Sequence, residues 1–215
     1  MGIMSKTDSV YKMLKSEIVN GSIKPSQNLP EKELSEKYEV SRNTIKKALL
    51  MLEKENLVII EPNKGAKVRA YSLTEVLEYL ELRAVLEGFI ARSATIHFTQ
   101  EKLNEMQEIL NIMKGHLEQN ELLLYSQNNQ KFHKVIYDAC PNRTAVEMTL
   151  ALKSQMSKYN MKTILIPGRD AQSFSEHSAI LSAIQNKNAD LAESLMILHI
   201  HNVRKTFSEN YSFLF

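Results

Sequence analysis

Apolar residues recur every three or four positions through most of this chain, and the places where that rhythm breaks divide it into elements. Tyr11, Leu14 and Ile18 share one helical face and Gly21 is a natural stop, so the spacing predicts a first helix from about Asp8 to Asn20. Pro25 to Asn28 reads as a polar connection. Pro30 opens a second helix, Glu31 to about Tyr38, that buries Leu34 and Tyr38, and Glu39-Val40 makes a short turn. Ser41 is a suitable N-cap for a third helix with Ile45, Ala48, Leu49 and Leu52 on its apolar face. The period then shifts towards two. Leu57-Val58-Ile59-Ile60 reads as a strand, Glu61 to Gly65 as a turn and Ala66 to Ala70 as the returning strand, a hairpin with Lys64 at its tip.

Beyond Ala70-Tyr71-Ser72 the helical period returns and stays. Ser72-Leu73-Thr74-Glu75 has capping-box spacing and opens a long helix to about Ile96, with Leu73, Val76, Leu77, Leu80, Ala84, Leu86 or Glu87, and Ala91 inward. Further helices are expected at about 100–118, 121–140, 143–163, 170–186 and 188–209, separated by polar, Pro or Gly breaks. No segment in this part alternates as a strand. The fold class that follows is mainly α: residues 1–71 form a winged helix-turn-helix, and residues 72–215 an antiparallel all-α bundle of about six helices.

Composition narrows the class without changing it. The chain has 215 residues, 43% hydrophobic and 24% charged, an ordinary balance for two modest domains. No apolar run approaches the roughly 20 residues that span a bilayer, and residues 1–9 lack a leader pattern, so no membrane partner and a cytoplasmic location are expected. The single cysteine, Cys140, excludes an intrachain disulfide and reads as a buried structural thiol. Charge is uneven: residues 1–70 hold 13 Lys/Arg against 9 Asp/Glu, whereas residues 71–215 hold 14 against 16. A basic head on a slightly acidic body suits nucleic-acid binding by the head.

The candidate chemistry lies in two places. Arg42, Asn43 and Lys46 fall off the apolar face of the third helix, near its N-terminus. Two helices joined by a tight turn, the second presenting Arg, Asn and Lys, are what reading a major groove requires. Lys47 and Lys54 read as a solvated face. In the C-terminal part, Asn129 and His133 are four apart on a face shared with Tyr125, Phe132 and Ile136. His177 lies with Phe174, Leu181 and Ile184, and His199 with Leu195 and Val203. Three inward histidines from three helices, with an oxygen donor, would suit Zn²⁺, Ni²⁺ or Mn²⁺; the alternative is that each is an ordinary core histidine. Arg83, mid-helix, would either clamp an effector carboxylate or pair with Glu87 one turn on. His97, His116 and His201 read as surface or boundary residues.

The run Ile18-x-x-Gly21, Pro25, Leu29-Pro30-Glu31-Lys32-Glu33-Leu34-Ser35-Glu36, Val40-Ser41-Arg42, Ala48-Leu49-x-x-Leu52, Asn56-Leu57-Val58 and Lys64-Gly65 resembles the DNA-binding domain of the GntR family. By that resemblance Lys32, Arg42, Asn43, Thr44 and Lys46, with Lys64 and Gly65 on the wing, would contact an operator in double-stranded DNA. Two departures bear on operator choice: Pro25-Ser26 stands where the family often has Pro-Gly, and Thr44-Ile45-Lys46-Lys47 where it often has Pro-Val-Arg-Glu. Phe132-His133, Pro141-Asn142, Glu176-His177-x-x-Ile180-x-x-Ala183-Ile184 and Leu198-His199-Ile200 resemble the FCD ligand-binding domain of the FadR-type branch of that family. There the metal ligands are an Asp and three His. His133, His177 and His199 match, while Asn129 stands in place of the Asp.

The resemblance implies a transcription regulator, more often a repressor, acting as a homodimer and controlled by a small-molecule effector, a carboxylate in this reading. Two other readings remain: a constitutive dimeric DNA-binding protein with no effector, and a metal-dependent enzyme. Against an enzyme, no nucleophile motif or general base stands out beside the histidines in the sequence.

Overall fold

Two separate apolar cores organise the computed structural model, which describes residues 5–62, 64–156 and 163–214. They belong to two compact units, Met1–Ser72 and Leu73–Phe215.

The first core is built on three helices, α1 (Lys6–Val19), α2 (Glu31–Lys37) and α3 (Arg42–Lys54). Val10, Leu14 and Ile18 of α1 meet Leu34 of α2 and Ile45, Ala48, Leu49 and Leu52 of α3. Ser41 caps α3, its hydroxyl accepting the Thr44 N–H at 3.2 Å. Three strands complete the unit: β1 (Asn28–Leu29), β2 (Val58–Glu61) and β3 (Gly65–Val68), in the order β1-β3-β2 and antiparallel throughout. This corrects the sequence reading, which places Asn28 in a connection and finds only the hairpin. Two residues are too few to show alternation, yet Leu29 is buried and pairs with Ala66. Gly65 has φ +86°, a left-handed conformation that glycine adopts without strain, at the point where the chain re-enters the sheet.

The second core lies among α4 (Leu73–Thr95), α5 (Gln100–Glu118), α6 (Leu122–Ala139), α7 (Arg143–Gln155), α8 (Arg169–Gln185) and α9 (Ala189–Glu209), with a final short turn α10 (Tyr211–Leu214). Side-chain caps set several starts: Thr99 for α5, Asn142 for α7 and Asn188 for α9 each accept a backbone N–H three residues on. The helix expected over 143–163 is shorter than the spacing suggests. It ends at Gln155, residues 157–162 lie outside the described residues, and Thr163–Leu165 is a single 3₁₀ turn.

Helix α4 packs along α9, α5 against α6 and α8, and α8 against α9. The α4–α9 approach is close at Gly88, where a Cβ would lie 2.5 Å from Ile197 Cγ1, so a side chain there would have to displace that of Ile197. Tyr125, Phe132 and Ile136 of α6 and Ile180, Leu181 and Ile184 of α8 fill the centre. Cys140 is buried with them. Among the described residues no helix is long and apolar enough to cross a membrane.

Candidate functional site

The first unit presents an open cationic face. Arg42, Asn43 and Lys46 stand exposed on the first turns of α3, and Lys32 is exposed on α2. Two other lysines of this unit are held in ion pairs, Lys15 with Glu55 and Lys37 with Glu17. Lys32, Arg42 and Lys46 form no ion pair among the described residues, so their charge faces solvent. Thr44 is half-buried and its hydroxyl lies 2.9 Å from that of Ser41, within the helix cap. Lys64 is exposed at the hairpin turn, 3.7 Å from Glu61, which also pairs with Lys67. Gly65 follows at the start of β3. An exposed helix N-terminus with unpaired cations beside a projecting hairpin can meet phosphates and base edges together.

The second unit hides its chemistry. His133 on α6, His177 on α8 and His199 on α9 are all buried, and one nitrogen from each lies within 4.8 Å of the others. What fixes their orientation is the other nitrogen of each ring. His177 Nδ1 donates to the Ser173 carbonyl at 2.6 Å, and His199 Nδ1 donates to Glu176 at 2.6 Å. His133 Nδ1 lies 3.1 Å from a Glu87 oxygen. Acceptors at Nδ1 of His177 and His199 place the proton there and leave those two Nε2 atoms with a lone pair, whereas His133 Nδ1, though near Glu87, is buried without a well-formed hydrogen bond. His133 Nε2 and His177 Nε2 face each other at 3.2 Å.

Burial keeps these rings neutral. It pushes His133 down to about 3, with Lys153 adding to the effect and Glu87 opposing it. Burial also lowers His177, helped by the other two histidines, and lowers His199 against the pull of Glu176. Neutral imidazoles with free Nε2 atoms are the form that binds a cation. Two nitrogens at roughly 2.0–2.1 Å from a tetrahedral ion would be about 3.3–3.4 Å apart, close to the separation found here. Asn129, one turn before His133 on α6, has a buried Oδ1 with no hydrogen-bond partner among the described residues. The three histidines therefore fit a divalent ion.

Two carboxylates that the sequence reading did not assign support the cluster. Of the Leu86-or-Glu87 alternative, Glu87 is the inward residue: it is fully buried, and Leu86 only half-buried. One Glu87 oxygen accepts Arg83 Nε at 2.7 Å and the other accepts the Tyr137 hydroxyl at 2.6 Å, which in turn accepts Lys153 Nζ at 3.0 Å. Burial alone would raise the Glu87 carboxyl, but Arg83, Lys153 and His133 outweigh it and hold it well below the usual range. Arg83 thus sits in the intrahelical pair that was one of its two sequence readings. Glu176 accepts Arg169 Nη2 at 2.8 Å on the oxygen that serves His199, and Asn202 on the other. Both acids are neutralised by arginines and turned towards Nδ1, a positioning role. The adjacency Glu176-His177 and the Arg83–Glu87 spacing were the available signals. His97 and His201 are exposed, and His116 is half-buried against Glu121.

Comparison with known proteins adds independent findings. The family model for the FCD domain matches residues 78–202, and that for bacterial regulatory proteins of the gntR family matches residues 6–68. The Uxu operon regulator of Haemophilus influenzae is 30% identical over 216 residues, covering 91% of this chain and 79% of the relative. The galactonate operon transcriptional repressor of Escherichia coli is 25% identical, covering 96% and 98%. Among solved structures, E. coli McbR/YncC shares the fold with a TM-score of 0.78 at 21% identity, over 96% of this chain and 99% of that one.

Proposed function

The chain belongs to the gntR family of bacterial regulatory proteins and carries an FCD domain; it is a DNA-binding transcription regulator, and from that premise we propose that it is a repressor whose operator binding is set by a metal-held carboxylate in the helical unit. The observation that carries this reading is the convergence of three buried, neutral histidines with one nitrogen from each within 4.8 Å of the others, two of them oriented by acceptors at Nδ1.

On the DNA side, Arg42 and Asn43 would meet base edges, Lys32, Thr44 and Lys46 would meet backbone, and Lys64 and Gly65 would follow the neighbouring groove. A homodimer would read two half-sites. In the helical unit His133, His177, His199 and Asn129 would hold Zn²⁺, Ni²⁺ or Mn²⁺, which supplies a point of attachment for a carboxylate. Glu87 and Glu176 keep the imidazoles in place. Arg83 is held by Glu87, so in this reading it contributes positive charge near the effector more than a free clamp. Helix α4 starts at Leu73, directly after the head, and carries Glu87, so a shift at His133 has a covalent route towards the DNA-binding residues. The relative named for the galactonate operon makes galactonate, a sugar acid, the first compound to try. Such a regulator works in the cytoplasm, and its relatives are regulators, not enzymes.

The amide at Asn129 favours a second reading, constitutive DNA binding with no effector, because a neutral oxygen is a weaker ligand than a carboxylate. The experiment that separates them selects an operator from randomised DNA with the full chain. Its affinity is then measured with zinc and galactonate and again after chelation. A change of fivefold or more supports effector control; no change supports the constitutive reading.

A further inference from the structure

The polar residues in the first two turns of α3 fall into two rows. At about 100° per residue, Lys46 lies about 40° round the helix from Arg42, Lys47 about 40° from Asn43, and the two rows are about 100° apart. Ile45, Ala48, Leu49 and Leu52 mark the buried face, and the row of Asn43 and Lys47 is the one more nearly opposite it. Lys47 is exposed and forms no ion pair among the described residues. Next to it Thr44 is half-buried, with its hydroxyl 2.9 Å from that of Ser41, so Lys47 is the outermost polar group on that flank.

The sequence reading groups Lys47 with Lys54 on a solvated face, but their surroundings differ. Lys54 ends the helix, where the macrodipole favours a cation, and Glu53 and Glu55 flank it. Lys47 has Asn43, Thr44, Leu50 and Met51 three and four positions away, so no acid on its own helix is placed to pair with it. The first acid of α3 is Glu53, and its Oε1 accepts the Ile60 N–H at 3.1 Å, turned towards β2. Arg42 and Lys46, four apart, repel each other across one turn. Cations gathered in this way do nothing for the helix and suit an anion outside it.

Phosphates line both walls of a major groove about 12 Å wide, and an α-helix fits between them. With the arc between the two rows facing the base edges, Lys46 points to one wall and Lys47 to the other. We propose that Lys47 is a further DNA-contacting residue, its ammonium meeting a phosphate on the strand opposite the one that Lys46 meets. Lysine suits this task, being a compact point charge on a flexible stem with no bidentate fork for reading a base. Asn43, one turn nearer the tip on the same row, is thereby held towards a base edge. The proposal rests on α3 as the reading helix.

The test uses the full-length chain and an operator selected from randomised DNA, with affinity read by fluorescence anisotropy between about 50 and 200 mM salt. Lys47→Ala should lower the slope of log affinity against log salt by about one unit, and weaken binding roughly fivefold at about 100 mM. Lys47→Arg and Lys54→Ala should both keep the wild-type slope. Uncharged methylphosphonates, placed one at a time along each strand, locate the contact. The phosphate whose neutralisation ceases to matter in Lys47→Ala should lie on the opposite strand from the one that ceases to matter in Lys46→Ala. A wild-type slope in Lys47→Ala, or an equal loss in Lys54→Ala, would overturn the contact, and two phosphates on one strand would overturn its placement. If Arg42→Ala also bound the operator as tightly as wild type, α3 would not be the reading helix and the proposal would fall with that assignment.

Discussion

The two units use the same residue type, arginine, in opposite ways. Arg42 in the head is exposed and unpaired among the described residues, whereas Arg83 and Arg169 in the bundle are 4% exposed and each locked to a carboxylate. The head shows its charge to a large, highly charged partner and spends no stability on it. The bundle encloses charge, which requires compensation at every atom and leaves only a few atoms free to answer a small ligand. On the function proposed above, recognition of DNA by the head and of a small molecule by the bundle are surface and interior solutions to one electrostatic problem.

The largest expected contrast is in stability. Arg83→Ala would remove the paired cation of the buried Glu87, leaving it the Tyr137 hydroxyl and the more distant Lys153, and should cost the helical unit roughly 3 kcal/mol in chemical denaturation. Arg42→Ala, on an exposed face, should change stability by less than about 0.5 kcal/mol. If the two substitutions cost the same, the division into open and enclosed charge is wrong.

Next in size is a pH effect confined to one unit. Residues 1–72 contain no histidine. In the metal-free bundle His133, His177 and His199 have folded-state values below their ordinary 6.5, so the unfolded chain binds protons first as pH falls. Stability is therefore full above about pH 6.5 and declines below it, continuing towards about 3 for His133. Between pH 6.5 and 4.5 that residue alone should account for about 2–3 kcal/mol. Separate thermal transitions for the two units, recorded across this window, should show the bundle falling and the head holding steady.

On the DNA side, Arg42→Ala should weaken binding to a selected operator by about 1–3 kcal/mol and relax base preference at one position. The smallest effect belongs to Lys64→Ala. It should weaken binding evenly across sequences and lower the salt-dependence slope by about one unit, as expected for one phosphate contact. Fluorescence anisotropy at several salt concentrations reads both.

How far each region was legible in the sequence follows the same division. An exposed candidate residue is visible as a polar position on an amphipathic helix, so Arg42, Asn43 and Lys46 stand out once Ile45, Ala48 and Leu49 define the buried face. The histidines are visible because a polar residue interrupts an apolar face. Their partners were harder. Glu87 is an acid on a long helix, where solvent exposure is the ordinary reading, and only the packing of α4 against α6 brings it to His133. Glu176 lies one position from His177 and so points about 100° away on α8, towards His199 on α9. Arg169 follows Gly168 at a helix start and drew no attention, since its pairing with Glu176 is a property of three-dimensional packing. The strand Asn28–Leu29 and the end of α7 at Gln155 were missed for simpler reasons. Two residues have no period, and no Gly or Pro breaks the chain between Pro141 and Pro167.

The measurement that bears most directly on the coupling of the two units is operator affinity of the full-length chain under four conditions: metal-free, zinc alone, galactonate alone, and both. Zinc with galactonate should shift affinity by at least fivefold, neither alone should match it, and His133→Ala should abolish the shift while still binding the operator. An affinity that is identical in all four conditions would contradict effector control and leave a head that binds DNA regardless of what the bundle holds.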